Sequence, residues 1–403
     1  MRILFLAHLF PLPLDSGGKI KTFHTLKALA REHEIHLLSY VRLDDEYRLV
    51  KDMQDVCASV EIIRLERGKA RHAAELLAGL CLRRSFIVSR DYRRKMQAAF
   101  ERALTTLHPD VVHVDHLQMA QFVPCGQPYK TVLDQHNVES AIIRRTADTD
   151  ESFPRRLYAS MEWPKLQRYE IRTCQNCDIV LTVSDEDGRA LRKTCPSLTN
   201  LRTVPIGADI HYFQPLDRDH RSRNLLFVGT MYWPPNIDSV LFFYKEIFPR
   251  VRKLYPDCSL TIAGQRPTST IRALENDPAV RVAGYVDDVR EISRDCGAFI
   301  VPLRSGSGVR VKILNALAMG LPVISTSLGA EGLDVSDGEH LLIADTAEDF
   351  AQAISNLFGN PELANTLSEN GRRLVCERYS WEVVGDRLLS IYRHDLESHK
   401  PGL

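Results

Sequence analysis

Short apolar runs recur along the chain and are separated by longer stretches in which apolar residues return at helical spacing. In the first half, the runs lie at 2–7, 35–41, 60–65, 110–115, 130–135 and 178–184. Several of them are apolar throughout, which is typical of parallel strands covered on both faces. The stretches between them, such as 21–33 and 155–173, favour helices. The pattern therefore predicts a doubly wound α/β sheet.

The same alternation restarts after the segment 204–224, whose charged end without apolar periodicity indicates a linker. Further apolar runs lie at 224–230, 259–264, 280–286, 297–303, 322–327 and 340–345. We therefore predict two Rossmann-like domains that face each other across a cleft, over 1–215 and 216–378, followed by a C-terminal helix over 379–403. Ligands of open α/β sheets bind beyond the carboxyl ends of the strands, so side chains at those ends are the candidates for function.

Composition narrows the class of protein. A chain of 403 residues is too long for one ordinary core. The formal net charge of zero argues against a nucleic-acid partner. Nine scattered cysteines indicate reduced thiols and a cytoplasmic location rather than a disulfide framework. No apolar run reaches the roughly 20 residues that span a bilayer, so we expect any membrane contact to be peripheral.

One segment, 64–102, is asymmetric in charge. It carries eleven Lys and Arg residues against four Asp and Glu, and apolar runs interrupt the charges. Such a basic amphipathic stretch can lie on an anionic membrane surface or meet an acidic acceptor. The alternative is a pair of ordinary solvated helices.

Two glycines, Gly17 and Gly18, lie between the first predicted strand and the first predicted helix. Paired glycines let backbone N–H groups approach a ligand at the positive end of a helix. The loop does not read G-x-G-x-x-G, so the dinucleotide fingerprint is missing. We interpret this turn as ligand-binding, the alternative being an ordinary connection between strand and helix.

A second candidate follows the predicted strand at 130–135, where the sequence reads LDQHNVES. His136 and Asn137 come directly after that strand and so point toward the predicted cleft. A histidine there can donate to a sugar hydroxyl or a phosphate, and its pKa suits proton transfer. The alternative is a histidine that only caps the strand end.

The strongest anion-binding candidate is the segment SGSGVRVKILNALAMG at 305–320. Its small residues precede a helix that we predict to begin at about Arg310. Exposed N–H groups and the helix dipole favour an anion there, and Arg310 and Lys312 can pair with phosphate oxygens. Cations are unfavourable at a helix N-terminus unless an anion offsets them, which favours a phosphate site over a solvated turn.

Two further patterns give weaker indications of a ligand or metal site. Glu331 lies in a glycine-containing turn beyond the strand at 322–327, where its carboxylate either accepts from ribose hydroxyls or caps the turn. Cys174 and Cys177 have zinc-like spacing, but no second pair follows, so we expect no metal.

Several motifs, in order, resemble the large retaining glycosyltransferase family 4, the glycosyl transferases group 1. They are VPIGADIHYFQP, FVGTMYWPPNID, GYVDDVREI, VPLRSGSGVRVKILNALAMGLPVISTSLGAEGL and YSWE. The resemblance implies a GT-B fold whose first domain binds the acceptor, whose second domain binds a nucleotide-diphosphate sugar and whose last helix crosses back onto the first domain. It also implies retention at the anomeric carbon, no metal and no cofactor besides a UDP- or GDP-sugar donor.

The resemblance also implies roles for the matching residues. Lys312, Arg310 and the turn at 305–309 would neutralise the leaving diphosphate. Gly17 and Gly18 would meet the same phosphates, and His136 would position a hydroxyl of the transferred sugar. The other positions expected to bind the donor are Gly229, Arg304, Ser307, Gly308, Asn315 and Glu331.

Two positions depart from the family pattern. Many members carry two glutamates eight positions apart, and the aligned residues here are Ser307 and Asn315. An asparagine keeps an acceptor oxygen for a ribose hydroxyl and gains a donor, but the bond loses its charge and is roughly half as strong.

The leading hypothesis is a cytoplasmic glycosyltransferase of polysaccharide biosynthesis that acts on a glycan or a lipid-linked, polyprenyl-type acceptor, with peripheral contact to an anionic membrane through 64–102. One alternative, suggested by Asn315, is a non-catalytic GT-B protein that binds nucleotide sugars or glycans. Another is a GT-B epimerase of UDP-GlcNAc, which needs cleft carboxylates that we cannot place. An NAD-dependent dehydrogenase is disfavoured because the dinucleotide fingerprint is missing.

Overall fold

A computed structural model describes residues 1–66, 68, 84–149, 152–219, 221–306 and 308–397. The chain forms two compact units: Met1–Pro205 together with Val384–Leu403, and Ile206–Val383. Each unit is a parallel sheet flanked by helices, which confirms the prediction of two Rossmann-like domains. The acceptor-binding and donor-binding roles assigned to 1–215, 216–378 and 379–403 stay predictions.

The first unit is built on a parallel sheet with the order β3-β2-β1-β4-β5-β6-β7 among the described residues. Strand β4 is buried along its whole length and β1 along all but its first residue, as expected for strands covered on both faces. The edge strand β7 was not predicted, because it has only three residues. The strands are Arg2–Ala7 (β1), Glu34–Val41 (β2), Ser59–Arg64 (β3), Val111–Asp115 (β4), Lys130–Asp134 (β5), Ile179–Thr182 (β6) and Leu201–Thr203 (β7).

Helices cover both faces of this sheet. The longest, Phe153–Asn176, was predicted from the periodicity of 155–173, and the first begins at the glycine pair itself. The α-helices in the described residues up to Pro205 are Gly17–Leu29, Val50–Met53, Phe86–Ser89, Arg94–Leu107, Glu139–Thr149, Phe153–Asn176 and Asp185–Thr194, and the 3₁₀ helices are Asp44–Leu49 and Leu117–Phe122.

The C-terminal segment returns to the first unit, as the family resemblance implies. The Tyr392 hydroxyl meets Nδ1 of His113 on β4 at 2.5 Å, and the Arg202 guanidinium on β7 donates to Asp395 at 2.8 Å. A Cβ on Gly385 would lie 3.0 Å from the Ala28 methyl, so a glycine allows the C-terminal helix to pack closely on the first helix.

The second unit repeats the architecture with a parallel sheet ordered β10-β9-β8-β11-β12-β13 among the described residues. All six strands fall within the apolar runs predicted for this half, although most are shorter than those runs. They are Asn224–Val228 (β8), Ser259–Ala263 (β9), Val280–Gly284 (β10), Ala298–Val301 (β11), Val323–Ser325 (β12) and Leu342–Ile343 (β13).

Helices again cover both faces of the sheet. The Val311–Ala318 helix buries Ile313, Leu314 and Leu317 against one face, which explains its apolar background. The α-helices from Ile206 onward are Pro234–Phe242, Phe248–Leu254, Ser269–Arg272, Val289–Ser293, Val311–Ala318, Ala347–Gly359, Pro361–Leu374 and Trp381–Ile391. A 3₁₀ helix at Ala273–Asn276 and π-helical turns at Phe243–Ile247, Val375–Tyr379 and Tyr392–Glu397 complete the set of described helices in this part of the chain.

Two of the sequence motifs meet in the second unit for a packing reason. The Ala208 N–H donates to the Tyr379 carbonyl at 2.7 Å, which pairs the VPIGAD segment with YSWE. A Cβ on Gly207 would lie 2.6 Å from the Trp381 ring, so only glycine allows the indole to approach the backbone this closely. Both motifs therefore help to build the unit, whatever else they do.

Within the part of the chain that the structure describes, no helix combines the length and apolar character needed to cross a bilayer. Most of the apolar interior of the basic segment 64–102 lies outside the described residues, which exclude 67 and 69–83. Its described remainder includes the Phe86–Ser89 and Arg94–Leu107 helices.

Candidate functional site

Polar side chains gather at the carboxyl edge of the first sheet, where three elements meet. Strand β4 ends at Asp115 and is followed by His116, and His136 follows β5, its neighbour in the sheet. The first helix begins at Gly17 and Gly18, directly after the loop that follows β1. Adjacent parallel strands bring these residues together, so we call Asp115, His116 and His136 the histidine cluster.

The carboxylate of Asp115 holds both imidazoles. Its Oδ1 lies 2.8 Å from Nε2 of His136, and its Oδ2 lies 2.9 Å from Nδ1 of His116. The Thr22 hydroxyl, on the first helix, also lies 3.0 Å from Oδ2. The two rings are 3.8 Å apart between centroids, and Asp115 is completely buried. One aspartate therefore fixes the orientation of two histidines.

The same geometry separates the pKa values of the group. Burial alone would lower the pKa of His116, but the charge of Asp115 and its hydrogen bond outweigh burial and raise it. Burial, with the positive charges of His116 and Lys21, lowers the pKa of His136 to about 4. Burial would raise the pKa of Asp115, but the two histidines hold it well below its usual range. At neutral pH Asp115 is therefore a carboxylate and His136 is neutral, while the charge of Asp115 shifts the pKa of His116 toward the protonated form.

Two imidazole nitrogens face the turn at Gly17 and Gly18, and the one on His136 is an acceptor. Since Nε2 of neutral His136 donates to Asp115, Nδ1 carries a lone pair, and that buried atom has no hydrogen-bond partner among the described residues. A Cβ on Gly18 would lie 3.8 Å from this Nδ1 and 3.7 Å from Nε2 of His116. The two nitrogens thus converge beside Gly18, where Nδ1 of His136 can accept from a hydroxyl group and Nε2 of His116 can donate to one when its ring is protonated.

The backbone at His116 supports a functional reading. Its φ is 73°, a region that residues with a Cβ rarely adopt and that costs about 1–3 kcal/mol. Strain of this kind persists at sites where a side chain must point in one direction. The ring of His8, on the loop after β1, lies 5.5 Å from the His116 ring between centroids. His8 bonds Asp91 at 3.0 Å, and burial lowers the pKa of His8 to about 4.

The arrangement also bears on metal binding. Asp115, His116 and His136 place one ligand atom each within 4.8 Å of one another, and His113, Asp115 and Asp134 form a similar group among the described residues. The second group is already occupied by an ion pair between Asp134 and Lys21. In the first group, the Asp115 oxygens already hydrogen-bond both imidazole rings. Asp115 therefore fixes the orientation of the rings, so that they are not free to turn toward an ion.

A buried glutamate supports the loop that carries His136. The Glu170 carboxylate accepts from the N–H groups of Glu139 and Ser140 at 2.9 and 3.3 Å, and from the Ser140 hydroxyl. These bonds satisfy the first N–H groups of the Glu139–Thr149 helix, which begins three residues after His136. Burial raises the pKa of Glu170 to about 7.

The raised pKa predicts a pH-dependent contribution to stability. Between its ordinary value of 4.5 and about 7, Glu170 keeps a proton in the folded protein that it loses in the unfolded chain. Its contribution is therefore complete below 4.5 and is lost as the pH rises through 7. We expect wild type to lose stability relative to Glu170→Gln when urea unfolding is compared at about pH 5 and about pH 8. Parallel profiles for the two proteins would contradict this, and the exposed Glu101→Gln serves as the control.

In the second unit, Lys312 occupies the first turn of the Val311–Ala318 helix. Its ammonium donates to the Val228 carbonyl at 3.0 Å and to Oδ1 of Asn236 at 3.3 Å, and lies 4.4 Å from the centre of the Phe227 ring. Burial of the ammonium, with the charge of Arg310, lowers the pKa of Lys312 to about 7. Among the described residues no carboxylate pairs with it. The buried amine of Lys312 therefore lacks a counter-charge among the described residues, and an anion bound beside it would favour its charged form.

Asn236 explains why Gly229 is needed. The amide of Asn236 donates to the Thr230 carbonyl at 3.0 Å while its oxygen accepts from Lys312. A Cβ on Gly229 would lie 2.8 Å from Nδ2 of Asn236 and would displace it. Gly229 therefore acts through Asn236 on the position of the lysine.

The remaining predicted donor residues surround the same helix start. The exposed Arg304 donates to Asp238 at 2.5 Å, and its guanidinium lies 4.3 Å from the centre of the Phe242 ring. Arg310 precedes the helix and donates to the Gly308 carbonyl, while Gly308 has a φ of 83°. Ser307 lies outside the described residues.

Two predicted contacts to ribose lie further along. Asn315 is half-buried in the second turn of the helix, and the part of the chain that the structure describes offers its side chain no hydrogen bond. Glu331 lies in the turn after β12 and is half-buried as well. Their roles toward a donor stay predictions.

Sequence reasoning missed Asp115, His116 and Asn236. The first two were visible as polar residues at the carboxyl end of the predicted strand 110–115, the same signal that identified His136. Asn236 lies two residues into a proline-started helix and has no such local signal. Its contact with Lys312 spans 76 positions, so only the fold reveals it.

Comparisons with known proteins agree with this picture. Residues 222–360 match the family described as glycosyl transferases group 1. The chain is 29% identical over 183 residues to an uncharacterized 44.6 kDa protein in the cps region of Klebsiella pneumoniae, covering 43% of this chain and 47% of that protein. It is 27% identical over 176 residues to a phosphatidyl-myo-inositol mannosyltransferase of Mycobacterium leprae, covering 42% and 46%. The chain thus spans about half the length of the curated relatives it matches.

Solved structures resemble the whole chain at low identity. A sucrose-phosphate synthase from Thermosynechococcus elongatus has a TM-score of 0.69 and 16% identity, covering 99% of this chain and all of that one. Anabaena Alr3699/HepE in complex with UDP has a TM-score of 0.68 and 11% identity, covering 98% and 100%. At such identities the likeness establishes the fold. The chain therefore has the GT-B fold, and its residues 222–360 resemble the glycosyl transferases group 1 family.

Proposed function

We propose that this protein is a glycosyltransferase that moves a sugar from a nucleotide diphosphate, UDP or GDP, to a glycan or lipid-linked glycan. The observation that carries the proposal is Lys312, an ammonium without a carboxylate partner among the described residues, at the start of a helix. A diphosphate supplies the missing counter-charge, and the helix N-terminus adds N–H donors for its oxygens. As the donor bond breaks, charge grows on the departing diphosphate, where a fixed cation stabilises it most.

The first unit supplies the chemistry for a hydroxyl group. Beside Gly18, Nδ1 of His136 can accept from a sugar hydroxyl and a protonated His116 can donate to the same hydroxyl through Nε2, which suits a group that must be held in one orientation. We assign His136 to positioning a hydroxyl of the transferred sugar, and Gly17 and Gly18 to backbone contacts with the donor. Retention at the anomeric carbon and independence from a metal belong to the proposal on the strength of the family resemblance.

The relatives support the choice of substrates. One neighbouring structure is a complex with UDP, and one relative is described as a GDP-mannose-dependent mannosyltransferase acting on a phosphatidylinositol mannoside. The Klebsiella relative is placed in a cps region, which agrees with a role in polysaccharide biosynthesis. We also propose peripheral contact with an anionic membrane through the basic segment 64–102.

The test is a thermal-shift screen across UDP- and GDP-sugars, followed by product analysis with glycan and lipid-linked acceptors. A donor that binds the folded state raises the melting temperature by mass action. We expect one donor to stabilise the protein and to be consumed over many turnovers when an acceptor is present. Stabilisation without turnover would favour the non-catalytic binding protein, and an isomerised sugar formed without acceptor would favour the epimerase. No shift with any donor would overturn the proposal.

Gly18→Ala should separate ligand binding from folding. The added methyl would make only van der Waals contacts, the nearest at 3.6 Å, and alanine favours a helix, so we expect stability to hold or rise by about 0.5–1 kcal/mol. Because the methyl fills the space between the two histidine nitrogens, we expect the KM for a substrate to rise about tenfold or more.

The matched control for that variant is Gly188→Ala on the Asp185–Thr194 helix of the same unit. A Cβ there also meets its nearest neighbour, the Thr182 hydroxyl, at 3.6 Å. Its helix contributes no residue to the histidine cluster. Steady-state kinetics and melting temperatures of both variants make the comparison. Equal kinetics for the two would remove Gly18 from the proposed site.

A further inference from the structure

The Phe153–Asn176 helix of the first unit carries an exposed apolar row. Phe153, Leu157 and Met161 are 64%, 49% and 45% exposed. Residues four apart in a helix lie on the same side, so these three side chains form one continuous row over the first turns. Large apolar side chains grouped in this way mark an interaction surface more often than an ordinary wet face.

The same side of the helix continues into a cavity. Lys165, Arg168, Tyr169 and Arg172 line a space of about 590 Å³. That volume is within the range of small-molecule sites. The opposite wall comes from the segment before the Arg94–Leu107 helix and from one 3₁₀ residue, namely Arg84, Ser85, Val88, Ser89, Tyr92 and Gln121.

The charges in this cavity are not balanced. Lys165 pairs with Glu162 at 2.9 Å. The Arg168 guanidinium donates to the Pro164 carbonyl of its own helix at 3.1 Å, and among the described residues no carboxylate pairs with Arg84, Arg168 or Arg172. Three guanidinium groups therefore line the cavity without a counter-charge from the described part of the chain. Guanidinium groups bind phosphate oxygens in a bidentate manner, which makes a phosphate the ligand that best fits them.

An apolar space adjoins the cationic one. A second cavity of about 250 Å³ shares Gln121, Tyr169 and Arg172 with the first. The rest of its wall is mainly apolar and includes Val114, Ala120, Val123 and Pro124. A ligand that carries a phosphate at one end and a hydrocarbon chain at the other matches this pair of cavities.

We propose that the cavity binds the phosphate or diphosphate head group of a membrane lipid, while the row formed by Phe153, Leu157 and Met161 contacts the lipid layer. The inference rests on the proposed function, since it names the acceptor class as a sugar acceptor joined through phosphate to a lipid. The exposed row distinguishes this occupant from a soluble phosphate ester, which offers no apolar partner for it.

The test is co-sedimentation with phosphatidylcholine vesicles that carry about a fifth phosphatidic acid, at low ionic strength where charge contributes most. The pocket variant combines Arg168→Gln and Arg172→Gln, both exposed residues outside the core. Its matched control combines Arg192→Gln and Lys193→Gln, which remove the same charge from an exposed helix of the same unit. A third variant combines Leu157→Ser and Met161→Ser.

We expect wild type and the control to bind alike and the pocket variant to bind about 30-fold more weakly, since each basic residue near a membrane contributes about fivefold. The apolar-row variant should also bind more weakly. Equal loss in the pocket variant and the control would overturn the proposal. So would equal binding to vesicles in which phosphatidylglycerol supplies the same charge, because that would indicate surface charge rather than a head-group site.

Two further arms identify the source of the phosphate and protect the interpretation. If inorganic pyrophosphate alone binds as tightly as the vesicles, the site recognises soluble phosphate and the lipid assignment fails. The donor-induced thermal shift of the pocket variant should equal that of wild type. If the pocket variant loses vesicle binding but keeps this shift, the loss is assigned to the cavity. If no protein shows the shift, the proposed transferase function fails instead.

Discussion

Lys312→Met is expected to reduce sugar transfer roughly 100- to 1,000-fold, the loss typical when a preorganised group that stabilises developing charge is removed. Methionine fills a similar volume and its thioether can contact the Phe227 ring where the lysine ammonium does, but it brings no charge to the diphosphate. The effect should fall on kcat more than on KM, because the charge on the leaving group is greatest in the transition state. Steady-state kinetics with the donor found by thermal shift measure it.

The contribution of Lys312 to stability should rise with pH, opposite in sign to the contribution of Glu170. The pKa of Lys312 is lowered from 10.5 to about 7, so between these values the unfolded chain binds a proton that the folded protein has released. The stability of wild type relative to Lys312→Met should therefore rise with pH across that window. Melting curves of the two proteins at about pH 6 and about pH 9 test the sign. Bound donor should weaken this trend, because the diphosphate raises the pKa of the lysine.

The control for this pair is Lys253→Met, an exposed lysine in the last turn of the Phe248–Leu254 helix. It should change neither kcat nor the pH dependence. Unchanged turnover in Lys312→Met would remove this residue from the donor site, and the proposed function would lose the observation that supports it most.

Asp115→Asn is expected to lower kcat by roughly a hundredfold or more, with a smaller change in KM. The amide can no longer accept from both imidazoles with full charge, so the donor–acceptor pattern beside Gly18 is lost. Asp115 acts through the histidines and is therefore a positioning residue. Its removal should also lower the pKa of His116, which the charge of Asp115 holds above its ordinary value.

NMR titration of the imidazole protons follows that pKa directly, and a merely structural role for Asp115 would not predict the shift. Asp185→Asn, at the exposed start of the Asp185–Thr194 helix, is the control. A folded Asp115→Asn protein with an unchanged His116 titration would show that the carboxylate does not set the charge of the cluster.

Much of the fold follows from local pattern. The apolar runs predicted from sequence contain nearly all of the thirteen described strands. The helix after the turn at 305–309 begins at Val311, next to the predicted residue, Arg310. Local signals also indicated His136, Gly18 and Lys312 as candidates. Each of these residues lies within a few positions of a strand end or a glycine turn. The edge strand at 201–203 was missed because three residues are too few for a period to emerge.

The sequence by itself determined the two α/β units, the turn that starts the Val311–Ala318 helix and the resemblance that implies sugar transfer. Only the tertiary structure decided that one aspartate serves two histidines and that Asn236 holds Lys312. Hydrophobic periodicity is local, whereas the order of strands in a sheet is set by crossover connections, which brought β4 beside β5 and β8 beside β11. Charge, burial and pKa depend on those distant neighbours, so the chemistry of the site became visible only when the chain was folded.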